Sequence, residues 1–162
     1  MSEVFLLLGS NLGNRLEILN LAIDQVIAKT GAIKRRSGIY ETEPWGTEDP
    51  QPFLNIIISI TTELEPITLL ETLLSIEADL GRKRDGSRNR PRSIDIDILL
   101  YNNLVLKSMT LTIPHERMHL RKFVLVPLAE IAPSLVHPVL HKNISQLLSE
   151  CEDNSWVRKF KV

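Results

Sequence analysis

The chain has 162 residues, a formal net charge of −1 and one cysteine, Cys151. That length suits a single domain with a real core, residues 1–162. The near-neutral balance speaks against a general polyanion binder, which is usually basic throughout. One cysteine excludes an internal disulfide and a cysteine-built metal site, and no apolar run approaches the length of a membrane span. The expectation is a cytoplasmic monomer without nucleic-acid or membrane partners.

Residues 4–8, VFLLL, read as a buried first strand ending in a turn at the sheet edge, Gly9-Ser10-Asn11. Asn14 stands where a cap belongs for a helix over Arg15–Lys29. Its stripe is Leu16, Leu19, Ile23, Val26 and Ile27, with Gly31 as the stop. Residues 33–40 read as a second strand. Residues 42–52 form a proline-rich loop with Trp45 and Gly46, of a length that usually marks function or mobility. Phe53–Thr62 is β-branched and apolar, hence a third strand. Asn55 is out of place in it, because a buried amide without partners is costly.

Pro66 opens a second helix over 66–80, striped by Leu69, Leu70, Leu73, Ile76 and Leu80 and ended by Gly81. Asp95–Tyr101 is the fourth strand, and Asn102-Asn103 reads as a hairpin turn into 104–106. The order βαββαβ predicts an α+β fold with a ferredoxin-like core, two helices on one face of an antiparallel sheet. The added C-terminal hairpin is followed by an irregular basic stretch, 113–121. Short helices come next over 123–131, despite Pro127, and over Ile144–Glu150.

The stretch 81–100, GRKRDGSRNRPRSIDIDILL, holds the strongest functional signal. Its first half is a loop rich in Arg82, Lys83, Arg84, Arg88, Arg90 and Arg92, broken by glycine and proline. Its second half alternates as Ile94, Asp95, Ile96, Asp97, Ile98, the period of a strand. Asp95 and Asp97 then share a face, with about 6–7 Å between their Cα atoms. Two adjacent carboxylates suit a hard cation, and magnesium takes one or two carboxylates plus phosphate oxygens. The arginines can hold further phosphate charge. Either half alone is more often an ordinary wet strand face or a solvated loop. Together they describe Mg-nucleotide chemistry.

Several blocks, in order and with matching spacing, give the chain a family resemblance. They are Gly9-Ser10-Asn11, the run from Tyr40 to Gly46 (YETEPWG), Phe53-Leu54-Asn55, Glu77 with Gly81-Arg82, PRSIDIDIL from Pro91, and the block from Pro114-His115 to Arg121-Lys122-Phe123. On these the chain resembles the 6-hydroxymethyl-7,8-dihydropterin pyrophosphokinases of folate biosynthesis. The resemblance implies a ferredoxin-like fold and transfer of pyrophosphate from ATP to the pterin hydroxymethyl group, releasing AMP. It implies two Mg2+ ions at Asp95 and Asp97, with Arg82 and Arg92 also catalytic. It places ATP among Arg84, Arg88, His115, Arg121, Leu70, Glu77, Ile98 and Thr112. It places the pterin against Thr42, Asn55 and backbone near Trp45, between Phe53 and Phe123. A flat heteroaromatic ring wants aromatic faces and a few fixed polar partners.

The chain departs from the family pattern at Asn89, where tryptophan is common, and at Arg90, where glycine is. Phe53 stands for a common tyrosine, and Glu116 for an aromatic in some members. Segments 42–52 and 83–91 are expected to be mobile and to close over the nucleotide. Two other readings stay open on the residues alone. A ferredoxin-like RNA binder would need aromatics on the central strands, and only Phe53 is offered there. A metal-dependent nucleotidyl transferase or nuclease would use the same acidic pair.

Overall fold

The computed structural model describes residues 1–44, 51–81 and 94–162. β1 (Ser2–Ser10) includes Gly9 and Ser10, so these continue a strand rather than turn at an edge. Asn14 caps α1 (Arg15–Lys29), its side-chain oxygen accepting the Glu17 N–H at 3.1 Å. This serves one of the donors that a first turn leaves unpaired. Leu19, Ala22, Ile23 and Val26 are buried, whereas Ile27, expected in the stripe, is 44% exposed. One residue past Val26 rotates a side chain about 100° off the stripe. The helix stops on Thr30, whose N–H donates to the Val26 carbonyl. Gly31 serves a different need: a Cβ there would stand 1.9 Å from the Thr61 carbonyl oxygen.

The strand expected over 33–40 is two strands, β2 (Gly31–Arg36) and β3 (Tyr40–Thr42). Both pair antiparallel with β4 (Phe53–Thr62). Between them Ser37 meets Ile57, its N–H donating to the Ile57 carbonyl and its Oγ accepting the Ile57 N–H. A side chain substitutes for backbone there, and the ladder breaks. α2 (Pro66–Gly81) buries Leu69, Leu73 and Ile76, and with them Glu77. β5 (Asp95–Tyr101) pairs antiparallel with β1.

The Asn102-Asn103 turn does not fold a strand back onto β5. β6 (Leu106–Lys107) pairs instead with β7 (Thr112–Ile113) in a separate two-stranded ladder. A 3-10 turn at Met118–Leu120 leads into α3 (Lys122–Ile131), then α4 (Ile144–Glu150). β8 (Val157–Lys159) closes the chain against β3. Its short charged sequence carries no strand pattern, so only the waiting edge of β3 defines it.

The result is a mixed α/β fold around an antiparallel sheet ordered β5-β1-β4-β3-β8, with β2 also on β4. Alternation along β1 sends Val4, Leu6 and Leu8 to one face, into a core with Leu19, Ile23 and Val26 of α1 and Leu69, Leu73 and Ile76 of α2. Phe5 and Leu7 go to the other face, where Val124, Leu125 and Leu128 of α3 and Ile144 and Leu147 of α4 cover them. The first two helices share a face as expected, and the later ones cover the opposite face. A bulge in the β1–β5 register, between Phe5 and Leu6, lets both Leu99 and Leu100 join the second core. Among the described residues no helix is long and apolar enough to cross a membrane.

Candidate active site

Among the described residues, the second face of the sheet is not covered along its whole length. Beyond α3 the strands leave a cavity of about 210 Å3. Its floor follows from register. Gly9 sits between Asn55 of β4 and Asp95 of β5, and Leu7 lies opposite Asp97. Thr42 faces Phe53 across the β3–β4 pair. Directly paired residues share a face, so register and period 2 together gather Leu7, Gly9, Thr42, Phe53, Asn55, Asp95 and Asp97 along this wall. Arg121 and Phe123, at the start of α3, form the opposite wall, and Glu43 lies at the rim.

Asn55 is 4% exposed and donates from Nδ2 to Thr42 Oγ1 at 2.7 Å. Its oxygen rests over Gly9, where an added Cβ would be only 2.5 Å from Asn55 Oδ1. The glycine is therefore part of the site, because it alone lets the amide lie flat on the strand. Across the cavity the Arg121 guanidinium stacks over the Phe123 ring, 5.6 Å from its centroid. Phe53 and Phe123, which would pass for core residues in sequence, both line this space.

A second cavity of about 390 Å3 opens beside the first. Leu70, Ile98, Thr112 and His115 line it, with Glu116 and Arg117 at one side. His115 donates its backbone N–H to the Leu99 carbonyl at 2.9 Å, and its Nδ1 accepts the Arg117 N–H at 3.2 Å. Burial pushes its pKa below the ordinary value, and Asp97 offsets this in part. With Nδ1 accepting, the neutral ring carries its proton on Nε2 and offers a donor. Glu77 lines neither cavity: it is buried on α2 and accepts the Ile96 N–H at 3.1 Å. It holds the strand that carries the aspartates.

Asp97 and Arg121 line both cavities. One carboxylate and one guanidinium thus stand at the junction of two adjacent spaces, the first partly aromatic, the second larger and more polar. Asp95 is exposed and Asp97 partly buried, both on the β5 face opposite Ile96 and Ile98. Arg82, Arg84, Arg88, Arg92 and Trp45, expected at the site, lie outside the described residues, as do Asn89 and Arg90 and most of the segments expected to close. Gly9, Leu7 and Glu43 have no sequence expectation as lining residues. The available signal was the pairing of β1 with the Asp95–Asp97 strand, which period alone does not supply.

The family model described as 7,8-dihydro-6-hydroxymethylpterin-pyrophosphokinase (HPPK) matches residues 5–133. A 2-amino-4-hydroxy-6-hydroxymethyldihydropteridine pyrophosphokinase of Porphyromonas gingivalis is 43% identical over 85% of this chain and 95% of its own length. That of Methylorubrum extorquens is 47% identical over 84% of this chain and 86% of its own. A crystal structure of Plasmodium falciparum HPPK-DHPS with pteroate superposes with a TM-score of 0.75 at 16% identity. It covers 92% of this chain and 44% of that longer protein, and so speaks to the fold alone.

Proposed function

The chain belongs to the 7,8-dihydro-6-hydroxymethylpterin-pyrophosphokinase family, and from that premise we propose how its residues divide the work of the reaction. It is a pyrophosphokinase of folate synthesis, with ATP and a pterin as small-molecule substrates. The first cavity takes the pterin, between Phe53 and Phe123, with the Asn55 amide and Thr42 hydroxyl as fixed polar partners. The second takes ATP, its nucleoside against Leu70, Ile98 and Thr112 and its phosphates toward His115 and Arg121. Glu77 supports that wall through Ile96. Arg82, Arg84, Arg88 and Arg92 supply further phosphate charge, and Trp45 further cover for the pterin. The reading fits a ferredoxin-like core extended by the β6–β7 ladder, α3 and α4, acting as one monomeric domain in the cytoplasm.

Asp95 and Asp97 fit magnesium. They are two hard oxygen donors on one strand face at a cavity wall, one of them exposed, and magnesium completes such a pair with water and phosphate oxygens. Bound there, two Mg2+ ions would spread the negative charge of the transferred group. The protein's own share is positioning. The pterin hydroxymethyl oxygen bonds to the β-phosphorus, the bond to the α-phosphate oxygen breaks, and AMP departs. Arg121, common to both spaces, is placed to meet charge on the passing group.

One observation carries the reading: Asp97 and Arg121 belong to both cavities. Asp97→Asn keeps shape and removes one charge. Turnover should fall by roughly two to four orders of magnitude, since a metal is worth several kcal/mol in the transition state. Pterin affinity, measured with a non-hydrolysable ATP analogue, should change far less, and Tm should hold or rise as like-charge repulsion is relieved. Near-normal turnover would reduce the acidic pair to a wet strand face.

A further inference from the structure

Arg15, the first residue of α1, makes an unusual pair of contacts with the pterin side of the site, from the far face of the sheet. Its Nη1 donates to Glu41 Oε2 at 3.0 Å and to the Pro52 carbonyl oxygen at 2.8 Å. Glu41 and Pro52 immediately precede Thr42 and Phe53. These two are the facing pair at the base of the 43–52 connection, and both line the first cavity. One guanidinium nitrogen thus ties together the two roots of that connection.

The contact is built rather than incidental. The side chains of Arg15 and Glu41 are only 17% and 12% exposed, where a charge-assisted bond counts for more than on an open surface. Arg158 of β8 holds the other oxygen of Glu41, so the carboxylate is fixed from both sides. The Arg15 guanidinium also lies 5.9 Å from the centroid of the Phe160 ring. Strand pairing alone already joins Thr42 to Phe53. What Arg15 adds is a set spacing between the segments that enter and leave the cavity wall.

We propose that Arg15 is a positioning residue for the pterin. By bridging Glu41 and Pro52 it fixes Thr42 and Phe53, and through Thr42 the Asn55 amide, in the separation a flat heterocycle needs; this rests on the assignment of the first cavity to the pterin. Small misplacements of such groups cost rate and affinity even when no contact to the substrate is removed.

The test is steady-state kinetics on Arg15→Ala and Arg15→Lys, with Asn14→Ala and Asn55→Ala beside them and Tm recorded for all. Arg15→Ala should raise the pterin KM about tenfold and leave the ATP KM within about twofold. Arg15→Lys should recover most of the loss, because an ammonium can still donate to both oxygens. Asn14→Ala weakens the same helix start without touching the bridge, so it should lower Tm and leave the pterin KM alone. If Arg15→Ala does not fold, a pterin KM in Arg15→Lys within threefold of wild type, against a large rise in Glu41→Ala, which removes the acceptor, supports the role. A pterin KM unchanged in Arg15→Ala or Glu41→Ala, or both substrates' KM values rising together with lost Tm, overturns it. Asn55→Ala separates the two levels: if its pterin KM is unchanged, the cavity assignment itself is wrong.

Discussion

Asn55 stands between Leu54 and a run of three isoleucines, and its amide is satisfied by a threonine one strand away and accommodated by a glycine on the other side. That arrangement makes a sharp prediction at Gly9. A methyl group there would stand 2.5 Å from Asn55 Oδ1, so Gly9→Ala must rotate the amide off Thr42 or lift the strand. Pterin KM should rise at least about tenfold while Tm drops by only a few degrees, as for a modest overpacking. An unchanged pterin KM in a folded Gly9→Ala protein would show that Asn55 does not read the substrate. The residue scale is also where sequence carried most about the acidic pair. Asp95 and Asp97 alternate with isoleucines, and an alternating strand with one apolar face leaves little choice about where its carboxylates point. Gly9 was legible only as a turn former. Its reason for being glycine lies across the strand, in a side chain 46 positions later, and register is what connects them.

At the scale of elements, those with strong local signals stand where the sequence puts them. α1 begins after Asn14 and β4 spans Phe53–Thr62. Their caps and periodicity act within a few residues. Elements defined by a partner were harder to read. The break between β2 and β3 follows from Ser37 meeting Ile57, and β8 exists because β3 offers an edge. The helices over the second face were visible as apolar segments, but nothing local says which face they cover. The Asn14 cap gives this scale its test. Asn14→Ala removes the acceptor for the Glu17 N–H and should cost about 0.5–2 kcal/mol. In a domain of this size each kcal/mol lowers Tm by about 2–4 °C. Thermal unfolding should show that loss, with ATP and pterin KM values unmoved. No loss in Tm would mean that tertiary packing, and not the cap, sets the start of α1.

For the whole molecule, stability should depend on pH in a window set by the buried His137 and the half-buried His115. His137 is 4% exposed, and its Nδ1 accepts the N–H groups of Val139 and Leu140 at 3.2 and 3.1 Å. Burial, with His119 and His141 nearby, holds its pKa below the ordinary 6.5. Burial also lowers His115. The unfolded chain therefore takes up protons first as pH falls through 6.5, so stability rises with pH across this window. The contribution is fully present above 6.5 and is lost on the acid side, toward the depressed folded values. Glu41 is held low by its bond from Arg158 and then by Arg15. Its contribution is lost only below the ordinary 4.5, in a separate step. Tm measured at pH 7.5, 6.5 and 5.5 should therefore fall with pH, and a flat profile would contradict a neutral His137 and His115 in the folded chain.

The two cavities share Asp97 and Arg121, so a pterin in the first and ATP in the second, as proposed, would meet at one carboxylate and one guanidinium. Attack at the β-phosphorus would carry two phosphoryl groups to the acceptor at once and leave AMP. The most direct measurement is to incubate the protein with Mg2+, the reduced pterin and ATP labelled at the β-phosphorus, and to quantify the products. AMP and labelled pterin diphosphate should appear in equal amounts. ADP as the main product, with the label left on it, would contradict the account.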